Sequence, residues 1–175
     1  MTRPSHRGPA KVVLPALIVG LAISYPGFVS AGARKTAVEG QALKVEFVGI
    51  ASDFYDSAGG EHFRHLVLTW NDFSLYGEGG IDFHGTATAD CSGNVDKHGT
   101  GPFSGTFVVR TADQVVWEGR FNGHLVGWMA TLVVTAHGKG PFEGTLLMLD
   151  MEENDPSNPY ADEFDLSGWI VNLGR

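Results

Sequence analysis

Residues 98–106 read HGTGPFSGT, and residues 137–145 read HGKGPFEGT. Seven of the nine letters agree at a spacing of 39 positions. Two readings compete for a stretch with His, three Gly and Pro: a ligand site, or a turn needed twice by the scaffold. What flanks it favours the scaffold. His98 and His137 each end an alternating segment, and Gly-x-Gly can reverse the chain through positive φ at little steric cost. Pro102 and Pro141 then fix φ at the start of the next strand. Phe and Gly follow two apart, on one face. The nonapeptide is therefore expected to build the same hairpin twice. His98 and His137 could also approach one another if the hairpins are neighbours.

Outward from the repeat, the chain alternates with period two, and helical periodicity never persists for three turns. Ile81, Phe83, Gly85, Ala87 and Ala89 oppose Asp82, His84, Thr86 and Thr88. Val115, Trp117, Gly119, Phe121, Gly123 and Leu125 oppose Glu118, Arg120, Asn122 and His124. Leu43, Val45, Phe47 and Gly49 share a face against Lys44 and Glu46. Residues 62–70, HFRHLVLTW, are apolar on both faces, as in a strand covered from two sides. An aromatic residue followed two places later by glycine recurs at Phe47/Gly49, Phe83/Gly85, Phe103/Gly105, Trp117/Gly119, Phe121/Gly123 and Phe142/Gly144. Glycine weakens a strand interior, so its repeated use needs a reason. Sharp bending of strands that close a small barrel is one, and a large–small alternation that fits the barrel's taper is another. The fold class that follows is all-β: a closed antiparallel barrel of about eight strands, either filled by side chains or holding one small ligand.

The turn Gly99-Thr-Gly-Pro-Phe-Ser-Gly105 resembles the glycine-rich turn of the allene oxide cyclase and dirigent families, a calycin-like barrel class. Gly138-Lys-Gly-Pro-Phe-Glu-Gly144 is similar to it with one change. The resemblance covers about nine residues directly. It implies an eight-stranded barrel that holds a hydrophobic small molecule, and enzymes that steer a cyclisation or coupling by shape. It also implies a possible homo-oligomer, since related barrels often trimerise. None of the families' polar working residues aligns with this chain.

Residues 1–33 form a separate region. Arg3, Arg7 and Lys11 precede an apolar run from Val12 to Ala22, and small residues end at Ala31 and Ala33. This is the layout of a secretory signal peptide, so the expected domain is 34–175 and the expected location secreted or periplasmic. The chain carries a formal charge of −8. Residues 1–33 contain three basic residues and no acidic one, so residues 34–175 carry −11. That charge repels phosphate backbones and argues against a nucleic-acid partner. Outward Lys44, Glu46, Asp82, Glu118 and Arg120 argue against a membrane barrel, whose outer wall must be apolar. Cys91 is the sole cysteine, which excludes an internal disulfide and a multi-cysteine zinc site. It is either buried or paired between chains.

No catalytic set is legible. Nucleophile elbow, phosphate loop and dinucleotide fingerprint are all missing, no cofactor is expected, and no metal site is expected from the scattered histidines. Residues 150–165 hold seven carboxylates without the regular spacing of a calcium loop, and read as a long solvated loop. Candidates for the wall of a ligand cavity are Phe47, His65, Phe83, Phe107, Trp117, Phe121 and Trp128. His65 is the one polar group among them if its face, shared with Phe63 and Val67, turns inward. The leading expectation is an exported, soluble barrel that binds a small hydrophobic molecule. The alternatives are a cyclase or isomerase of the resembled type and a non-catalytic oligomeric interaction module.

Overall fold

The computed structural model describes residues 33–49, 55–57, 60–112, 114–154 and 163–174. The expected signal peptide lies outside them, apart from Ala33. Among the described residues nine strands form in chain order: β1 (Arg34–Gly49), β2 (Tyr55–Ser57), β3 (Gly60–Gly77), β4 (Ile81–Asp96), β5 (Gly101–Arg110), β6 (Val115–Val126), β7 (Met129–Gly138), β8 (Thr145–Glu153) and β9 (Phe164–Asn172). Each long strand pairs antiparallel with the next, β9 pairs with β1, and β1 closes on β3. The result is a closed eight-stranded antiparallel barrel, with β2 paired to the start of β3.

Alternation places the apolar set inside. On β4, Phe83, Ala87, Ala89 and Cys91 are buried, whereas Asp82 and His84 are exposed. On β6, Trp117 and Phe121 are buried between exposed Glu118, Arg120 and Asn122. The apolar run of β3 has a cause other than a second covering layer. Register shifts between Phe63 and Leu66, and between Trp70 and Phe73, each insert one residue relative to β4. A bulge of this kind flips the following residues to the other face. The inward series is thus Phe63, Leu66, Leu68, Trp70, Phe73 and Leu75, and Val67 stands half-buried on the outside.

Because successive strands are antiparallel, turns alternate between two rims. The β3–β4 turn, the β5–β6 turn and the β7–β8 turn stand at one rim, called upper here. The β4–β5 and β6–β7 turns, with the ends of β8 and the start of β9, stand at the lower rim. The two copies of the nonapeptide are three turns apart in this order, an odd number. They therefore sit at opposite rims, and His98 and His137 do not meet.

The copies also fold differently. In the first, Asp96 caps a tight turn: its Oδ1 accepts N–H bonds from His98 (2.8 Å) and Thr100 (3.0 Å). These two donors, Thr100 first, hold the Asp96 carboxyl below the usual carboxylate value. Gly99 takes φ +68, and Gly101 through Gly105 continue as strand β5. In the second, Gly140–Phe142 form a single 3₁₀ turn with Pro141 at its start, and β8 begins only at Thr145. Here Gly140 (φ +52) and Gly144 (φ +80) are left-handed, whereas Gly138 remains in β7. The expected identical hairpin is corrected accordingly. Proline's fixed φ suits both a strand and the first position of a helical turn, so the shared letters do not choose between them.

Candidate functional site

The bore is filled along most of its length by a column of aromatic rings. Starting at the upper rim, Phe142 lies 4.0 Å from Trp117, centroid to centroid, and Trp117 lies 5.1 Å from Phe83. Phe83 continues to Phe73 (6.3 Å), Phe73 to Phe107 (6.1 Å), Phe107 to Trp70 (6.4 Å) and Trp70 to Phe164 (5.7 Å). Most of these contacts are edge-to-face, the arrangement favoured by ring quadrupoles. The 3₁₀ turn of the second nonapeptide brings Phe142 over the upper mouth, and Thr145 secures it: its hydroxyl donates to the Phe142 carbonyl (2.6 Å) and accepts from Trp117 Nε1 (3.3 Å).

Packing is looser in the lower half. A void of about 70 Å³ lies there among inward residues near the lower ends of their strands: Leu66 and Leu68 of β3, Cys91 of β4, Phe121 and Leu125 of β6, and Leu132 of β7. Every lining residue is apolar apart from Cys91. The Cys91 thiol is buried and donates to the Leu66 carbonyl (3.1 Å), so its polarity is spent within the wall. Of the two alternatives for Cys91, burial is the one observed. Around the same rim stand Phe47, Val48 and Val126, all more than half exposed. Glu153, at the end of β8, is buried and accepts the Ala130 N–H through Oε2 (2.8 Å). It belongs to the strand, not to the solvated loop expected over 150–165. Residues 155–162 of that expectation lie outside the described residues.

Among the seven cavity candidates, Phe83, Phe107 and Trp117 belong to the ring column, and Phe121 lines the void. Phe47, His65 and Trp128 stand elsewhere, each for a separate reason. Phe47 is 58% exposed because its strand has reached the lower rim. His65 is turned out by the first β3 bulge, with φ +55, and its Nδ1 lies 3.3 Å from both carboxylate oxygens of Asp90 on the outer wall. Its backbone N–H points at Ser92 Oγ (3.4 Å). No hydrogen bond links that hydroxyl to the His65 ring, so the three residues do not form a nucleophile–base–acid relay. Trp128 forms a two-residue β6–β7 turn with Gly127, both at positive φ (+73 and +61). This is the type I′ geometry that matches strand twist. Its N–H donates to the Gly99 carbonyl (3.0 Å), and its ring covers the Gly99 α-carbon where a Cβ would overlap it. Trp128 thus clasps two lower-rim turns together.

Sequence reasoning chose aromatics and missed Leu66, Leu68, Cys91, Leu125 and Leu132. A signal for them existed: each is an inward residue near the lower end of its strand. Using it required knowing which strand ends share a rim and where β3 bulges. Among the described residues, no three His, Cys, Asp or Glu side chains converge to hold a metal ion. Comparison with protein-family models, with curated proteins and with solved structures finds no match.

Proposed function

We propose that the chain is an exported, non-enzymatic barrel that holds the apolar end of a small hydrophobic molecule at its lower mouth. The observation that carries this reading is the one-sided void: about 70 Å³, apolar but for Cys91, beneath a rim of exposed Phe47, Val48 and Val126. An apolar cavity with a few polar groups is the usual form of a small-molecule site. The size limits the ligand. A void of about 150 Å³ accommodates benzene, so the resting space takes a group of only a few carbon atoms. A larger one must displace the half-buried Leu66, Leu68 and Leu125. Cys91 is bonded to a carbonyl and is the one ionisable side chain on the wall, so no acid–base pair stands there to transfer a proton. The resemblance of Gly99–Gly105 to the allene oxide cyclase and dirigent turn adds support, since those barrels hold hydrophobic molecules.

Native mass spectrometry and displacement of a neutral apolar dye test the reading on the purified protein. Leu132→Ala enlarges the void and is expected to tighten dye binding. Ala89→Leu fills it and is expected to abolish binding, with thermal unfolding confirming that the variant is folded. If neither the wild type nor Leu132→Ala takes up the dye, binding in the bore is refuted. Recovery of the protein outside the cytoplasm, starting near Gly32 or Arg34, tests export.

A further inference from the structure

The outer wall carries a groove of about 730 Å³ across β8, β9, β1 and β3, on the side away from the bore. Trp169 and Tyr76 stand at its two sides and are 46% and 44% exposed. Pairing registers place them on either side of β1: Trp169 is opposite Ala37, and Tyr76 is opposite Glu39. With neighbouring strands about 4.8 Å apart, the two aromatic side chains straddle a gap of about 10 Å across the sheet. The short side chain of Ala37 leaves the middle of that gap open. Tyr76 is braced from behind. His84 packs edge-on at 5.5 Å with its Nε2 3.4 Å from the Tyr76 hydroxyl, and that nitrogen also meets Asp82 Oδ1 at 3.2 Å.

The charges in the groove have one sign. Glu39, Glu78 and Asp150 line it, and none of them makes an ion pair or side-chain hydrogen bond among the described residues. The nearest cation along the strand is Lys35, two residues before Ala37 and outside the lining. We propose that this groove binds a small organic cation of the alkylammonium or quaternary ammonium class. Exposed rings attract such a cation through their quadrupole, and the three uncompensated carboxylates add a field that a neutral ligand would not feel. The net charge of −8 raises the local concentration of cations further. The groove shares no lining residue with the apolar void, so this site stands or falls independently of that one.

Choline titrated into the whole protein, followed by tryptophan fluorescence and calorimetry, tests the proposal. Dimethylbutanol, its neutral isostere, controls for shape, and glucose controls for a sugar-stacking platform. Choline should saturate the site, and the neutral isostere should bind about tenfold more weakly, the size of a partly desolvated cation–π and charge contribution. Trp169→Ala should lose a comparable factor in a variant that thermal unfolding shows to be folded, because that side chain stands at the groove rather than in the core. Glu39→Gln should weaken choline binding and flatten its salt dependence. Equal affinity for choline and dimethylbutanol would overturn the proposal, as would tighter binding of glucose, no saturation with choline, or binding unaffected by Trp169→Ala.

Discussion

Two nearly identical nonapeptides close opposite rims of one barrel, and they do so with different backbones. Of the glycines at matching positions, Gly99 is left-handed where Gly138 is not, and Gly140 and Gly144 are left-handed where Gly101 and Gly105 are not. All three pairs are exchanged. The difference lies in the neighbours. Two residues before the first histidine stands Asp96, whose carboxylate gathers the turn's N–H groups. At the same place in the second copy stands Thr135, a β7 strand residue exposed on the outer wall. The first copy then has Trp128 clasping Gly99 and becomes strand at once. The second has Trp117 below it, and Phe142 folds inward to cover that ring. Seven shared letters thus allow both conformations, and contacts with β6 and its turn select between them.

The sharpest break of this comparison is expected at the third glycine. A Cβ on Gly105 would run into the Asp90 carbonyl oxygen of the paired strand, and backbone cannot retreat as a side chain can. Gly105→Ala should cost about 3 kcal/mol, the upper end of overpacking. Gly144→Ala, which must adopt the left-handed torsion of that position (φ +80), should cost about 1–2 kcal/mol. Urea unfolding of the two variants decides the point, and an equal or reversed order would show that the copies are equivalent after all. Phe142→Ala should fall between them at about 2 kcal/mol, less than a fully buried ring because Phe142 is only partly buried. The loss should come with a shift in Trp117 emission. Trp128→Gly keeps the positive φ of its turn and gives up only the clasp, so a cost of about 1 kcal/mol is expected. Should it stabilise the protein instead, the strain at φ +73 outweighs the contact with Gly99.

Acid should separate the copies as well. The Asp96 carboxyl is held below its ordinary value in the folded protein. Its contribution is therefore complete above the unfolded carboxylate range and is lost as the pH falls through the lowered folded value. Asp96→Asn retains an acceptor for the two N–H groups but cannot titrate, so its unfolding midpoint should fall less steeply on acidification than that of the wild type. Matching acid profiles would mean that the cap carries no charge dependence. The smallest effect is expected from the histidines. Both are exposed, and His98→Ala with His137→Ala should stay within about 0.5 kcal/mol each. A larger loss, or stabilisation of the wild type alone by zinc, would return the repeat to the status of a site.

Legibility followed the range of the interaction concerned. Alternation on β4 and β6 identified Phe83, Trp117 and Phe121 as inward without any knowledge of neighbours, because a strand turns its side chains to alternate faces by its own geometry. On β3 the same rule misled at His65 and Val67, since a bulge is a property of two strands together. Some glycines of the aromatic-x-glycine pattern answer a demand between strands: the Phe103 ring covers Gly123, and the Asp90 backbone crowds Gly105. The pattern was visible, but the partner of each glycine was not. The groove between Trp169 and Tyr76 had no trace in the order of residues, because it joins positions far apart in the chain.

The sequence by itself determined the all-β class, the closed barrel, its apolar inner face and the burial of most of its rings. All of these rest on period-two patterning and on the need to remove that face from water. Only the tertiary structure decided which nonapeptide becomes strand and which becomes a 3₁₀ turn, which strand ends share a rim, and where the ring column stops and the void begins. Each of those depends on register, and register is set between strands whose partners the local sequence does not specify.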